Sequence, residues 1–284
     1  AIRATRSEKR ESTQRMVAEA TVDFLTDDLL GMSDPDKEPD RDIKLRTVLD
    51  RAAHSLTDRF KEQPEVKARI LNTLGRTYEG TGEYEKTIKL LEETLAIWQK
   101  LGRETDRDFI LTEKTIAYSY FKLGHFQEAS ELLTPLLQKA RKTLGPEAAE
   151  TLEVQTWLAR VSTFLGDYAR SHELNEAAYA IYEKQGRERA RVALGCLTGI
   201  GSNYLRQGRP SKAEGPYRKV WDIARADYPP DFPPAIAALH NLGAALMNQG
   251  KSKEAVPILE EALERGRRVQ GELHPDVLSD IHDM

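Results

Sequence analysis

Five glycines, Gly82, Gly124, Gly166, Gly208 and Gly250, stand at a constant spacing of 42 residues. A register held over five units constrains the chain to a repeat architecture, in which each unit buries its apolar face against its neighbours. The surroundings of the glycines repeat as well. Eight residues before each comes a large aliphatic side chain, Leu74, Ile116, Leu158, Ile200 or Leu242, followed at once by a small residue, Gly75, Ala117, Ala159, Gly201 or Gly243. Four before stand Tyr78, Tyr120, Ser162, Tyr204 and Leu246, and five after stand Thr87, Ala129, Ser171, Ala213 and Ala255. Apolar residues recur at steps of three and four upstream, as in Leu71, Leu74, Gly75 and Tyr78, and again downstream, as in Leu90, Leu91, Thr94 and Leu95. That is the period of an amphipathic helix. Each repeat is therefore predicted to be two helices joined at the glycine, with the small residue letting them approach closely. The fold expected is all-α, a solenoid of antiparallel helix pairs wound into a right-handed superhelix.

Composition enters as a set of exclusions. Among 284 residues, 42 Lys and Arg face 46 Asp and Glu, a formal charge of −4. No apolar run approaches the roughly 18 residues of a membrane span, so no direct membrane insertion is expected. One cysteine, Cys196, excludes an internal disulfide framework and a thiolate metal cluster. The sequence starts at Ala1 with nothing like a secretory signal and reads as a fragment of a longer protein.

The last full unit carries a family pattern most clearly: Leu239-His240-Asn241-Leu242-Gly243, then Asn248-Gln249-Gly250-Lys251, Glu254-Ala255 and Leu259-Glu260-Glu261-Ala262-Leu263, followed by Leu273-His274-Pro275-Asp276. This resembles the tetratricopeptide repeat, in the 42-residue variety of kinesin light chains and their bacterial relatives, and the resemblance covers residues 64–284. Against the usual 34-residue unit the repeat is longer by about one turn per helix. Repeat three departs from the pattern, with Ser162, Ser171 and Asn175 where apolar residues are expected. Either its packing is looser there or Asn175 finds a partner.

The edges of the array predict its organisation. Leu45, Leu49 and Ala52 stand 42 residues before Thr87, Leu91 and Thr94, so residues 41–63 read as a half repeat that caps the first unit. Residues 64–284 hold five full repeats and the start of a sixth, with Leu278 and Ile281 on its apolar stripe and no second helix to cover them. Residues 1–40 read as an amphipathic helix, Ser7 to Leu30, carrying Met16, Val17, Ala20, Phe24 and Leu25 on one face and broken at Gly31 and the turn Ser33-Asp34-Pro35-Asp36. The stretch Val22 to Leu30, then Asp34-Pro35, then Leu45 to Ala52 is similar to the region of bacterial Hanks-type serine/threonine kinases that lies between the kinase domain and a C-terminal tetratricopeptide array. That resemblance implies a catalytic domain upstream of Ala1. No kinase motif lies in the chain itself.

Reactive constellations are missing. Gly75 to Thr81 has the first spacing of a phosphate loop but lacks its lysine and the preceding strand. No two histidines stand four apart around a glutamate, so no zinc-protease site is expected. Asp27 and Asp28 are adjacent and point to different faces of a helix. Cys196 precedes the core Leu197 and is assigned to packing. The run Tyr228 to Pro234 is read as an inter-repeat loop ending at a helix start rather than as a polyproline ligand. The chain is expected to need no metal or cofactor and to be no enzyme.

What the resemblance implies about binding is more specific. In tetratricopeptide arrays the first helices line the concave face, at positions 13, 10, 9, 6, 3 and 2 before the marker glycine. Here those positions give the candidate groove residues Arg69, Asn72 and Arg76; Lys114, Tyr118, Phe121 and Lys122; Trp157 and Arg160; Arg206; and His240, Asn241 and Asn248. Six basic residues against Glu79 and Glu153 leave these positions at +4 in a chain of −4. Such a wall suits an acidic protein segment or a peptide's C-terminal carboxylate, with Arg pairing bidentately and Asn holding backbone. The aromatics are either apolar anchors or packing between repeats. Nucleic acid is not expected, because the chain is acidic and its basic stripe holds few stacking rings. Two readings remain: a non-catalytic peptide-binding scaffold or sensor, and the regulatory region of a fused kinase or transcription regulator. The fragment is expected in the cytoplasm. A membrane span before Ala1, as in the kinase family, would place the array outside it, whereas Arg3, Arg6, Lys9 and Arg10 after such a span favour the cytoplasmic side.

Overall fold

A computed structural model describes residues 45–56, 60, 62–230 and 232–270. The expected N-terminal helix and the start of a sixth repeat lie outside the described residues. Among those described there are eleven α-helices and no strand: α1 (Leu45–Ser55), α2 (Pro64–Gly80), α3 (Tyr84–Lys100), α4 (Arg107–Lys122), α5 (Phe126–Thr143), α6 (Ala149–Phe164), α7 (Tyr168–Lys184), α8 (Arg191–Arg206), α9 (Pro210–Asp227), α10 (Pro233–Met247) and α11 (Ser252–Gln270). None of them is long and apolar enough to cross a membrane. The chain divides within α5, between Leu132 and Leu133, into two compact units.

Each hairpin is closed the same way. The marker glycines have positive φ, 82° at Gly124 for example, a region that costs an L-residue roughly 1–2 kcal/mol and glycine almost nothing. That turn lets the amide of His125 reach back to Tyr120 O at 2.9 Å while Gly124 N donates to Phe121 O at 3.0 Å. Two carbonyls left over at the end of α4 are thereby satisfied, in the Schellman arrangement. The longer bond recurs at Glu83 to Tyr78, Asp167 to Ser162, Arg209 to Tyr204 and Lys251 to Leu246. A second set of positive-φ glycines, Gly102, Gly145 and Gly186, ends α3, α5 and α7; the repeat register did not reveal it, because these glycines are not spaced by a constant 42.

In the first unit α1 packs on α2, α2 pairs with α3, and α4 contacts both. Leu49, Ala52 and Leu56 are buried with Val66, Ile70, Leu71, Leu74 and Tyr78. Tyr78 Oη donates to Asp50 Oδ1 at 2.6 Å, and Lys86 Nζ reaches the same oxygen at 2.5 Å, tying three helices together. In the second unit α6 pairs with α7, α8 with α9 and α10 with α11, while first helices also touch first helices, α6 with α8 and α8 with α10. The close approach is fixed by the small residue after each aliphatic one. A Cβ built on Gly201 would lie 2.7 Å from the Tyr217 ring, and one on Gly75 would lie 2.6 Å from Leu91. Ala117 and Ala159 occupy the equivalent positions fully buried.

Neighbouring repeats of the second unit are also joined by polar ties. Tyr228 stacks on Phe232 with ring centroids 4.0 Å apart and donates to Arg189 O at 2.6 Å, so the proline-rich run is a packed connection into α10. Glu214 on α9 accepts from Lys251 at 2.9 Å, Arg218 at 2.8 Å and Gln249 at 3.1 Å. The Lys251 and Arg218 bonds hold its carboxyl at about 2 rather than 4.5.

Gly124→Val should lower stability by about 1 kcal/mol or more through backbone strain alone, since a Cβ there meets nothing within 4 Å. Gly201→Ala should cost about 1–3 kcal/mol through overpacking. Thermal unfolding of each variant measures both, and an unchanged midpoint for Gly124→Val would contradict the hairpin role. The Glu214 carboxylate is favoured by folding, so its contribution is complete above 4.5 and is lost as pH falls through about 2. Glu214→Gln should therefore destabilise by about 1 kcal/mol or less at neutral pH, and denaturant titrations should show the difference closing as pH is lowered toward that value.

Candidate functional site

The expected groove residues lie on first helices, except Asn248, which follows the last residue of α10, and their surroundings differ. On α2 the Arg69 guanidinium is held by Glu65 at 3.0 Å, and Glu65 is shared with Arg103, which also reaches Asp106 at 2.5 Å. Asn72 Oδ1 lies 3.0 Å from the Thr112 hydroxyl across the α2–α4 contact, so part of its capacity joins two repeats. Arg76 is exposed. On α4, Tyr118 meets Tyr84 edge-on at 6.1 Å with Lys122 Nζ 5.9 Å from the same Tyr84 ring, and Phe121 packs on Phe126 at 5.3 Å. Lys114 is half-buried on the same helix. In the second unit His240 and Asn241 are half-buried on α10, and Asn248 turns its amide back to Ala244 O at 2.8 Å, which uses a donor that was assigned to a ligand.

In the second unit, repeats three and four line a cavity together. Arg160 from α6 and Arg206 from α8 flank an opening of about 160 Å³ between these two helices. Each guanidinium is braced on an aromatic face, Arg160 over Trp157 at 4.8 Å and Arg206 over Phe164 at 4.9 Å, a geometry that attracts a cation and restricts its rotamers. Phe164 is 44% exposed, and no carboxylate among the described residues pairs with Arg206. Gly195 and Gly199 of α8 line it as well. Glycine inside a helix costs roughly 0.5–1 kcal/mol relative to alanine. At Gly199 no larger residue fits, since a Cβ would come within 2.6 Å of the Asn175 amide.

Asn175, on α7, is 1% exposed and forms the floor. Beneath it Thr163, Ser171 and Asn203 make a buried ring, with Thr163 to Ser171 at 2.7 Å, Thr163 to Asn203 Oδ1 at 2.8 Å and Asn203 to Ser171 at 2.9 Å. Asn175 Nδ2 adds to Ser171 at 3.4 Å, whereas Asn175 Oδ1 is buried without a partner. The polar residues that interrupt the pattern of repeat three thus form a layer of their own; Asn175 has found half of its partners.

Cys196 lies behind the cavity wall, fully buried, 3.6 Å from the Thr156 hydroxyl. Burial pushes its thiol up to about 11. Arg160, Arg206, Thr156, Thr198 and Ser202 all occupy wall positions of the register; Asn175, on a second helix, does not. Two glycines four apart inside one predicted helix were the available sign that something fills the space beside it.

Sequence profiles described as tetratricopeptide repeat match residues 68–101 and 236–276 in one form and residues 108–184 in another, together more than half of the chain. The chain belongs to the tetratricopeptide repeat family. Its fold is similar to the nearly identical tetratricopeptide-like repeats assigned to a Podosopora anserina kinesin light chain, with 27% identity, coverage of 74% of this chain and 99% of that one, and a TM-score of 0.59. BtubC from P. vanneervenii aligns at a TM-score of 0.64 with 17% identity, over 81% of this chain and 92% of that one. NprR in complex with its cognate peptide NprX aligns at 0.62 with 13% identity, over 84% and 65%. No curated protein sequence matches significantly. Tetratricopeptide arrays are in general non-catalytic protein-interaction scaffolds, and the chain is such an array.

In the folded protein at pH 8, Cys196 should resist a thiol reagent such as dithionitrobenzoate and release one equivalent only after denaturation, because the thiolate fraction is small and the sulfur is enclosed. Fast stoichiometric labelling of the native state would contradict the packing role.

Proposed function

We propose that this tetratricopeptide array is a peptide-binding scaffold whose first helices take an acidic segment of a partner protein. The observation that carries the reading is the pair of arginines, each seated on a ring, at the mouth of one cavity in the second unit. A guanidinium fixed in this way loses less freedom on pairing with a carboxylate. In the first unit, Arg76, Lys114 and Lys122 give α2 and α4 basic residues of their own. NprR, of the same fold at low identity, holds a peptide, so such a stack of helices can accommodate one. Within the proposal, residues 41–63 are a capping half repeat, residues 64–284 the array, and residues 1–40 a separate segment that precedes it.

A fused regulatory role is supported by a different observation, the kinase-like stretch from Val22 to Ala52. In that arrangement a partner bound by the array acts on a catalytic domain encoded upstream of Ala1. Reading the sequence of the natural protein upstream of Ala1 decides it.

Reversal of Lys114, Arg160 and Arg206 to Glu should weaken binding of an Asp- and Glu-rich decapeptide library tenfold or more, as expected when charge-assisted bonds worth about 1.5–3 kcal/mol each are lost. Stability should change by about 0.5 kcal/mol or less, and added salt should mimic the mutation. Fluorescence anisotropy with C-terminally free and amidated libraries reads affinity and separates acidic side chains from a terminal carboxylate. Unfolding of the variant would make these residues structural, and intact binding would move the partner to another face.

A further inference from the structure

The cavity between α6 and α8 gathers its free donors toward one end. Thr156 and Arg160 on α6 stand in register with Thr198 and Ser202 on α8, 42 residues on, and Phe164 and Arg206 are the last residues of the two helices. At the earlier turn the hydroxyl protons are spent, since Thr156 donates to Leu152 O at 2.8 Å and Thr198 to Leu194 O at 2.9 Å. At the next turn the proton count comes out differently. Tyr217 is wholly buried, and its phenol meets Ser202 Oγ at 3.0 Å and no other partner among the described residues. Burial pushes that phenol up to about 12, so it keeps its proton. A buried hydroxyl places its proton on an acceptor, and the one in reach is Ser202. Ser202 therefore accepts from Tyr217 and retains its own single proton, for which no described residue offers an acceptor. The side open to it is the cavity.

Three donor groups from two helices thus border one space: the guanidiniums of Arg160 and Arg206 and the Ser202 hydroxyl. No carboxylate is among the described residues that line it. A cation at the last residue of α8 also offsets the helix dipole, but a dipole has no use for a hydroxyl donor beside it. With about 160 Å³ the cavity is smaller than the roughly 300–1,000 Å³ that enclose a whole ligand. It has room for one side-chain head of a ligand bound along the wall.

We propose that this end of the cavity is a phosphoryl subsite, which takes a phosphoserine or phosphothreonine of the acidic partner segment. The proposal rests on the peptide-binding reading and narrows it: the array reads whether its partner is phosphorylated. An Asp or Glu side chain brings one negative charge and two oxygens in one plane. A phosphomonoester brings a charge of about −1.5 to −2 at neutral pH and three terminal oxygens set apart in space, which suits donors arriving from two helices. Arginine is the side chain best shaped for such oxygens. Phe164, exposed beside Arg206, leaves an apolar surface for the residue next to the phosphorylated one. Nucleic acid carries the same group, but the chain is acidic overall and the wall holds few rings on which bases stack.

The test uses the full chain. Amidated acidic heptapeptides that differ only at a central phosphoserine, Glu or Ser are measured by fluorescence anisotropy, beside a uridine hexanucleotide. N-acetyl phosphoserine amide and inorganic phosphate are titrated against 15N-labelled protein, following the Gly195 and Gly199 amides and the Arg206 Nε–H. The phosphoserine peptide should bind about tenfold or more tighter than the Glu peptide, as one to three added charge-assisted bonds imply. Arg160→Gln and Arg206→Gln should each remove that preference. Ser202→Ala should lower it several-fold, and because that change also takes the acceptor from Tyr217, the double variant with Tyr217→Phe is measured beside it, every variant being checked first by thermal melting. Equal binding of the phosphoserine and Glu peptides overturns the phosphoryl subsite and leaves the acidic-peptide reading standing. A preference that survives both arginine substitutions places the phosphate elsewhere and overturns the subsite too. Tighter binding of the hexanucleotide, lost in the same variants, gives the site to nucleic acid and overturns the proposal. Shifts from inorganic phosphate alone mark an adventitious ion only and overturn it as well. Shifts from N-acetyl phosphoserine amide with none of the peptides bound overturn the peptide reading and support the subsite's chemistry. Silence from every probe overturns both.

Discussion

Everything in this structure depends on how closely one helix can lie against the next. The position after each conserved-register aliphatic residue sits against the second helix of its own hairpin, and the space available there is less than a methyl group at Gly75 and Gly201. With the backbones that near, Leu91 and Tyr217 are wholly enclosed, and dispersion contacts accumulate over whole side chains rather than at their tips. The hairpin glycines serve the same end, since a reversal completed in so few residues leaves the two helices no room to splay.

Repeat three resolves the same constraint with polar groups. Where its neighbours place Ala129 or Ala213, it places Ser171, and the ring with Thr163 and Asn203 fills the volume while satisfying nearly every group in it. Such a layer is more directional than an aliphatic one. It holds the Asn175 amide in the space that a side chain at position 199 would take.

Much of the fold was legible because its strongest signals are stereochemical. A glycine that must adopt positive φ cannot be exchanged freely, so the 42-residue period survived in Gly82 to Gly250. The glycines after the second helices escaped notice, since Gly145 and Gly186 depart from strict spacing and Tyr228 ends α9 in extended conformation instead. The rim of the candidate site was readable from helical phase, which places Arg160 and Arg206 on exposed positions. Asn175 was not, because it lies on a second helix, outside the register of the wall. Arg69 and Asn248 show the converse: phase places them on the wall, yet Glu65 and the α10 backbone already engage them.

The ties between repeats share a property of sequence distance. The bonds from Thr112 to Asn72 and from Thr163 to Asn203 each reach 40 residues along the chain, and the Lys251–Glu214 and Tyr228–Arg189 links span 37 and 39. A chain whose inter-helix bonds close loops of about one repeat or less pays little loop-closure entropy for any of them. Assembly can then begin at whichever hairpin forms first and spread outward by single helices. Opening follows the same path in reverse, and a partner that bridges two adjacent first helices would act as an additional stitch between repeats that otherwise know only their neighbours.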